Sequence, residues 1–405
     1  MRKHIIKKEI TTVIFMLLLF AFSAVNFMHT LPYFKDVEAN EIDELSDIQD
    51  VIVNVENIMN ENVYSKYTFV EAYGLWNLIL AKNEVDGFSH IKDDNGFLHY
   101  SDFWNDQSDN IDELVNTVLA LRDKVEENGT EVIVVMPPVK DDEASVTYGT
   151  GMPYCDKNWI ADEYLSKLSA AGVNVLDFRE TLDESGMGYD EMFYVTDHHW
   201  TTQAVFVCYQ EFVKQMESWY DIELDPTGLY TDINNYNVLV YEDSTLGSHG
   251  RDTGIVYAGG LDDFTLMYPK YYTNFTYTWE VEGMESVLNG RFEDTLVSTY
   301  NIVNSNVYGQ DKYAAYMNGI DTYDNIINND NTEAPKVLFL RDSCTSPFAS
   351  FASQVFSETD LIWTYKLNND LEEYVDIEKY DYIIVSLYPD SLKDNMFQFN
   401  LSESE

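Results

Sequence analysis

The 405-residue sequence contains only three cysteines and few basic side chains for its length. Cys155, Cys208 and Cys344 are an odd number and lie far apart, without a Cys-x-x-Cys zinc pair, which argues against a disulfide framework. We expect three free, buried thiols, and a single disulfide bridge stays open as an alternative.

Positive charge is also scarce. The chain has 24 Lys and Arg against 71 Asp and Glu, which gives a formal net charge of −47. Such a surface repels nucleic acid, so we expect no nucleic-acid partner. The sequence shows no nucleotide-binding loop, haem motif or cluster of metal ligands, and we therefore expect no cofactor and no metal.

One long apolar run is present, and it lies at the N-terminus. Basic residues precede the run from Ile10 to Phe27: Arg2, Lys3, Lys7 and Lys8. This order is typical of an export signal whose basic end stays in the cytoplasm. A run of about 18 residues fits either a signal peptide or a spanning helix. Because no clear Ala-x-Ala site follows, we predict an uncleaved signal anchor, with a cleaved signal peptide and a secreted protein as the alternative.

These features divide the chain into four predicted parts. Residues 1–9 form a basic cytoplasmic end, and residues 10–28 form the signal anchor or signal peptide. Residues 29–60 read as an acidic stalk, and residues 61–405 as the functional domain outside the membrane. The protein is thus expected to be a single-pass membrane protein with an extracytoplasmic domain.

Within the large domain, helical and strand patterns alternate. Residues 110–127 repeat apolar side chains at helical spacing, and residues 131–136 are a continuous β-branched run. A second helix and strand follow at 159–171 and 173–177, and residues 201–216 are amphipathic. This alternation predicts an α/β domain with a parallel sheet.

The alternation breaks between about residues 225 and 331. That stretch is rich in Tyr, Asn, Asp, Gly and Thr, with strand-like pieces at 264–268 and 272–279 and no clear helix. Apolar strands resume at 336–340 and 382–387. We therefore predict a β-rich insertion inside the α/β domain.

The most informative segment is Asp197-His198-His199-Trp200. It places a carboxylate and an imidazole two positions apart on a short loop, which suits a general base and its orienting carboxylate. Asp-His-His also occurs as a metal motif of phosphoesterases, but that chemistry needs further ligands close by in the sequence. The segment itself holds no nucleophile.

Ser343 is the nucleophile that we expect. It follows the strand 336–340 and precedes a helix, where backbone N–H groups can stabilise an oxyanion. His199 would take the proton of Ser343, and Asp197 would fix the imidazole tautomer. The two sites lie 144 residues apart (343 − 199), yet an α/β sheet can bring them to one edge.

Three neighbouring residues are possible accessories to the site. His198 either assists or serves as a packing residue. Arg341 either lends positive charge to an oxyanion or pairs with a carboxylate. Asp342 either acts in catalysis or caps the following helix.

The segment Thr196–Thr201 resembles the signature of the DHHW protein family. It is also similar to the Asp-x-His-Trp-Thr motif of alginate O-acetyltransferase-type proteins. The resemblance covers roughly residues 60–405 and implies an SGNH-hydrolase-like three-layer α/β fold with a parallel sheet. It also implies a triad of Asp197, His199 and Ser343. Because the serine follows the histidine, the reverse of ordinary SGNH hydrolases, a circularly permuted fold is implied; Arg341-Asp342-Ser343 replaces their Gly-Asp-Ser.

The resemblance further implies a function. It predicts an extracytoplasmic O-acetyltransferase or acetylesterase of the bacterial cell envelope, acting on a cell-surface polysaccharide through an acyl-enzyme. A membrane-bound acyltransferase would be the partner that delivers acetyl groups. The alternative is a catalytically inactive, membrane-anchored glycan-binding or assembly protein of the same fold. A distance between Ser343 and His199 longer than a hydrogen bond would favour this alternative.

Overall fold

The structure, a computed structural model, describes residues 2–36, 45–102, 110–141, 146–281, 284–367 and 370–399. It divides into two compact units, Met1–Leu75 and Trp76–Glu405. The boundary at residue 61 that the sequence suggests stays a prediction.

The α-helices of the described residues range from single turns to one helix of membrane-spanning length. They are α1 (Arg2–Thr30), α2 (Leu45–Glu61), α3 (Lys66–Ile79), α4 (Ile111–Val125), α5 (Asn158–Ala170), α6 (Phe178–Ser185), α7 (Tyr189–Met192), α8 (Thr202–Tyr220), α9 (Ser248–Thr253), α10 (Ile255–Ala258), α11 (Phe292–Thr295), α12 (Thr299–Val303) and α13 (Thr345–Ala352).

The strands of the described residues lie in three sheets. They are β1 (Glu84–Val85), β2 (His90–Lys92), β3 (Leu98–Tyr100), β4 (Glu131–Met136), β5 (Asn174–Asp177), β6 (Tyr236–Thr245), β7 (Asp262–Pro269), β8 (Phe275–Val281), β9 (Met284–Gly290), β10 (Tyr323–Asn328), β11 (Lys336–Arg341), β12 (Glu358–Trp363) and β13 (Tyr382–Ser386). β1, β2 and β3 form a small antiparallel sheet, and β6 pairs only with β7 among the described strands.

In the smaller unit, α1 is exposed along its apolar length. The stretch Lys7–Phe34 is long and apolar enough to cross a membrane, with a mean hydropathy of 2.2 over 18 residues. By length and composition this helix fits a signal anchor or a signal peptide.

The larger unit is built on an eight-stranded sheet with the order β5-β4-β13-β11-β12-β10-β8-β9. The five strands from β5 to β12 are mutually parallel. β10, β8 and β9 extend the sheet with antiparallel pairings. The central sheet is therefore largely parallel, as the alternating sequence pattern predicts.

Helices cover both faces of the sheet. Alternate residues of β4 point in opposite directions, so Ile133 and Val135 belong to one apolar core and Val132 and Val134 to the other. The first core is filled mainly by α8 and α13 and the second by α4 and α5. This is the predicted three-layer arrangement.

The β-rich insertion is present, and three of its strands belong to the central sheet of the α/β domain. Its strands β8, β9 and β10 join the central sheet, and β6 and β7 form a hairpin-like pair beside it. Short helices such as α9 and α12 also occur, although the sequence shows no clear helix there. A four- to six-residue helix gives no readable periodicity, because it completes fewer than two turns.

All three cysteines have free thiols, as predicted. Cys208 and Cys344 are buried, whereas Cys155 is only partly buried.

Candidate active site

Ser343 lies just beyond the carboxyl end of β11, between that strand and α13. Asp197 and His199 lie on the loop between α7 and α8; we call residues 193–201 the histidine loop. Ser343 Oγ is 3.0 Å from His199 Nε2, and His199 Nδ1 is 2.7 Å from Asp197 Oδ1. The structure therefore brings Ser343 into line with Asp197 and His199, which lie about 144 residues earlier in the chain.

The histidine loop is closed at its base by backbone contacts. Phe193 and Trp200 form an antiparallel bridge, and the Thr201 N–H donates to the Met192 carbonyl at 2.8 Å. Thr201 also caps α8, because its hydroxyl accepts a hydrogen bond from the Ala204 N–H. The loop therefore has a fixed start and end.

Asp197 is buried, and both oxygens of its carboxylate accept hydrogen bonds from the described residues. Oδ1 accepts from the His199 backbone N–H and ring, and Oδ2 accepts from the Ser248 N–H at 3.1 Å. Burial favours the neutral acid, but the charge and hydrogen bonds of His199, with a contribution from His198, hold the pKa of Asp197 well below its ordinary value. Asp197 is thus a carboxylate that keeps its charge.

Both faces of the His199 ring are covered by other rings. Tyr313 stacks on one face with centroids 3.8 Å apart, and His198 lies at 3.8 Å in a tilted arrangement. With Asp197 accepting from Nδ1–H, Nε2 is left as the acceptor for the Ser343 hydroxyl. Ser343 itself is partly exposed, whereas His199 and Asp197 are buried.

The backbone after Ser343 is also fixed. The Cys344 carbonyl accepts hydrogen bonds from the Trp200 indole and the Tyr313 hydroxyl, both at 3.0 Å. Trp200 is a core residue with 1% of its surface exposed. The same two residues therefore flank the histidine and fix the turn that carries the serine.

Of the accessory residues, His198 lies within the site and is neutral. Its Nδ1 is 2.9 Å from Ser248 Oγ and 3.2 Å from Asp197 Oδ1. Burial, together with the charge of the neighbouring His199, lowers the pKa of His198 to about 3. A neutral imidazole in this position packs against the His199 ring and adds no positive charge beside it.

Two roles were considered for Arg341 from the sequence, and in the structure it pairs with a carboxylate. It is fully buried, and its guanidinium donates to Asp324 and to the Ser346 hydroxyl. A guanidinium that is fully buried and paired in this way is not available to an oxyanion at the partly exposed Ser343. Its carboxylate partner, Asp324, belongs to β10 of the insertion.

Asp342 braces the backbone around Ser343. Its carboxylate accepts from the Cys344 N–H at 3.0 Å and from the Tyr388 N–H at 2.8 Å. Burial raises the pKa of Asp342 to about 6 despite these bonds. Asp342 thus joins the turn after β11 to the segment after β13.

Residues of the insertion that were not among the predicted site residues also build the site. Ser248 supports Asp197, Tyr313 covers His199, and Gly247 packs so closely that a Cβ there would lie 2.2 Å from Asp197 Cβ. Gly247 and Tyr313 are single residues in a stretch rich in both types, so no local pattern distinguished them.

Two buried charged residues, Lys140 and Asp262, hold the histidine loop through its backbone groups. Lys140 Nζ donates to the backbone carbonyls of Leu98, Val195 and Asp197 at 2.8–3.0 Å. Asp262 accepts from the N–H groups of Val195 and Thr196. Burial lowers the pKa of Lys140 to about 8.

The same loop could in principle hold a metal, because ligand atoms of Asp197, His198 and His199 lie within 4.8 Å of one another. However, both oxygens of Asp197 already accept backbone N–H groups, and His199 Nε2 faces a hydroxyl. These atoms suit proton transfer better than metal ligation.

Comparison with known proteins agrees with this architecture. Residues 94–230 match the family model of the SGNH hydrolase-like domain of the acetyltransferase AlgX. The domain has an SGNH hydrolase-like fold. The matched range includes Asp197 and His199 and ends near the start of the insertion, before Ser343.

Solved structures share this fold at low sequence identity. PatB1 of Bacillus cereus is 19% identical, with a TM-score of 0.63 over 77% of this chain and 99% of that chain. PatB1 with a sulfonyl adduct is 18% identical, with a TM-score of 0.62 over 77% and 97%. A DHHW family protein of Eubacterium siraeum is 14% identical, with a TM-score of 0.53 over 72% and 90%. The resemblance carried by Thr196–Thr201 is thereby confirmed, while no match to a protein of curated function was found.

Proposed function

We propose that this protein is an extracytoplasmic O-acetyltransferase that acts on a cell-surface polysaccharide, with acetylesterase activity as its hydrolytic counterpart. The observation that carries the proposal is the relay from Asp197 through His199 to Ser343, with separations of 2.7 and 3.0 Å. The match to the SGNH hydrolase-like domain of an acetyltransferase supports the choice of acyl group. A hydrogen-bonded serine and histidine also favour catalysis over the inactive glycan-binding alternative.

In the first step, Ser343 Oγ attacks the carbonyl carbon of a donor acetyl ester. His199 Nε2 takes the hydroxyl proton, and Asp197 stabilises the resulting imidazolium through Nδ1–H. The tetrahedral intermediate collapses, His199 returns the proton to the leaving oxygen, and an acetyl-Ser343 ester remains. Asp197 is suited to this role because its low pKa keeps it ionised.

The negative oxygen of the intermediate needs hydrogen-bond donors. Within the described part of the chain, the Ser343 N–H donates to no protein acceptor, whereas the next N–H, of Cys344, is committed to Asp342. We assign the Ser343 N–H as one oxyanion donor. The hydrogen bonds to the Cys344 carbonyl would keep this turn in place as charge develops.

In the second step, a sugar hydroxyl gives its proton to His199 and attacks the acetyl-enzyme. The acetyl group moves to the sugar and Ser343 recovers its proton, so the enzyme is unchanged. Water in place of the sugar would release acetate. Rings on both faces of His199 restrict water around the base, which favours transfer.

The apolar helix α1 completes the proposal. We propose that it is an uncleaved signal anchor, because its apolar run is long enough to span a membrane and follows the basic residues at the start of the helix. An anchored enzyme would receive acetyl groups from a membrane-bound acyltransferase on the same membrane. The polysaccharide would be the acceptor outside the cell.

Acetyl transfer from p-nitrophenyl acetate to neutral oligosaccharides tests the proposal. We expect p-nitrophenolate release and acetylated sugar by mass spectrometry, both reduced roughly 10⁴-fold or more in Ser343→Ala. Ser166→Ala, an exposed serine on α5, is the matched control and should behave as wild type. Acetate without acetylated sugar would identify an esterase. A folded protein that releases no p-nitrophenolate would favour the glycan-binding alternative.

A further inference from the structure

Helix α3 exposes large apolar side chains over most of its circumference. Phe69 is 52% and Leu75 45% exposed, and the same is true of other aromatic and aliphatic residues of this segment: Tyr67, Tyr73, Trp76, Leu78, Ile79 and Leu80. Lys66 and Glu71 are the charged residues of the helix. A helix that is apolar nearly all round is typical of an apolar environment and costly in water.

The beginning of α3 is attached to the outer half of α1. The Phe22 and Phe69 rings meet edge to face with centroids 5.5 Å apart. The Tyr64 N–H donates to Asn26 Oδ1 at 2.7 Å, and His29 Nδ1 lies 3.0 Å from the Asn62 carbonyl. These contacts join the two helices within one compact unit.

The Phe22 contact sets a depth for α3. At 1.5 Å per residue, Phe22 lies about 8 Å inward from Phe27, the last residue of the apolar run. If α1 spans a bilayer, Phe69 therefore lies below the headgroup level of the outer leaflet. The polar contacts at Asn26 and His29 fall nearer the membrane surface, where polar groups are tolerated.

We propose that α3 is embedded in the outer leaflet of the membrane, with acyl chains and headgroups covering its exposed apolar residues. This inference rests on the proposed membrane anchorage by α1. Tyr67, Tyr73 and Trp76 are amphipathic rings of the kind enriched at the membrane interface. The partner is the lipid bilayer, because α3 is joined directly to a helix whose surroundings in a membrane are lipid.

Fluorescence of a single attached probe in vesicles tests the location of α3. In the full chain with Cys155→Ser, the substitutions Leu75→Cys on α3, Phe20→Cys on α1 and Val303→Cys on α12 are labelled separately with an environment-sensitive dye. The remaining cysteines, Cys208 and Cys344, are buried. The proteins are reconstituted into phosphatidylcholine vesicles with or without acyl chains brominated near their middle.

The proposal predicts that the probes at positions 20 and 75 shift to shorter wavelength and lose most of their emission to the brominated lipid. The probe at position 303, which replaces an exposed valine of the larger unit, keeps its emission. Quenching at position 20 without quenching at position 75 would overturn the location of α3 and leave the anchor intact. Quenching at neither position would overturn the anchor and this inference together, without bearing on the chemistry of Ser343.

Discussion

At the residue scale, the orientation of Asp197 depends on a glycine 50 residues later in the chain. Gly247 and Ser248 lie against the carboxylate, and the Ser248 N–H holds Oδ2. A triad carboxylate acts by orienting the imidazole, so small displacements reduce turnover strongly. Gly247 is thus expected to matter for rate although it has no reactive group.

Gly247→Ala is predicted to lower kcat by roughly 10²- to 10⁴-fold, because the new Cβ would overlap Asp197. Steady-state hydrolysis of p-nitrophenyl acetate measures the effect. Gly149→Ala is the matched control, since a Cβ there meets no atom within 4 Å. Equal rates for the two variants would show that the Gly247 contact does not position Asp197.

His198 makes the free energy of unfolding depend on pH. Its pKa in the folded state is about 3, below the ordinary value of 6.5, because burial and His199 oppose its charge. The unfolded chain therefore binds more protons between these values, and the free energy of unfolding falls as the pH is lowered from about 6.5 toward 3.

His198→Gln is predicted to lose less stability than wild type on acidification from pH 7 to pH 4. Denaturant unfolding at the two pH values measures the difference. Asp197, His199, Asp390 and Lys140 all influence His198, so the comparison is made between two proteins that keep them. An identical pH dependence in both proteins would mean that His198 is not held neutral.

The residues that the sequence could predict are those with local patterns. Asp197 and His199 share one loop motif, and Ser343 follows a recognisable buried strand. Gly247 and Tyr313 act through contacts with residues distant in the sequence, which no local pattern records. The catalytic roles of Asp197, His199 and Ser343 stay predictions until they are measured.

At the element scale, the Lys140 side chain ties the histidine loop to the segment after β4. Lys140 donates to carbonyls of β3, of Val195 and of Asp197, and is fully buried in this position. Loss of its ammonium would remove a donor from all three carbonyls, of which Val195 would keep the Leu98 N–H, at 3.1 Å. A buried carbonyl left without a donor costs roughly 1–3 kcal/mol.

Lys140→Met is predicted to lower the free energy of unfolding by roughly 2–5 kcal/mol and to reduce kcat more than KM changes. Denaturant unfolding and ester hydrolysis, followed at a temperature where the variant is folded, measure the two effects. Lys167→Met, at a partly exposed lysine of α5 whose ion pairs lie at the surface, should leave the unfolding midpoint nearly unchanged. A stable variant with normal kcat would contradict the positioning role.

Elements with a uniform burial pattern could be predicted from the sequence, and others could not. β4 is a continuous apolar run, and its predicted bounds are those of the structure. β12 was missed because Thr359 and Asp360, both fully buried, interrupt its apolar character. Asp360 is tolerated there because Tyr380 and Lys379 bind its carboxylate.

At the scale of the whole molecule, the insertion is part of the fold and of the site. It adds three strands to the sheet and supplies Gly247, Ser248, Tyr313 and Asp324 to the surroundings of the triad. Its β-rich character could be predicted from the sequence, but these roles could not. They depend on how β10 pairs with β12, and that pairing is set by contacts between residues distant in the chain.

The net charge of −47 is expected to select among acceptors. An anionic polysaccharide would be repelled at long range, and salt would screen that repulsion. We predict that kcat/KM for a uronate oligosaccharide rises with ionic strength, while that for a neutral oligosaccharide of equal length stays constant. Transfer assays at low and physiological salt compare the two. A uronate acceptor that is used well at low salt and poorly at high salt would reverse the sign and point to a local cationic site.

The central claim is that Ser343 is a nucleophile activated by His199. Reaction of the full chain with a serine-reactive phosphonate, followed by intact mass and peptide mapping, tests it most directly. The account predicts a single adduct on Ser343 that is absent in His199→Ala. A folded protein that forms no adduct, or an adduct on Ser343 that persists in His199→Ala, would contradict it.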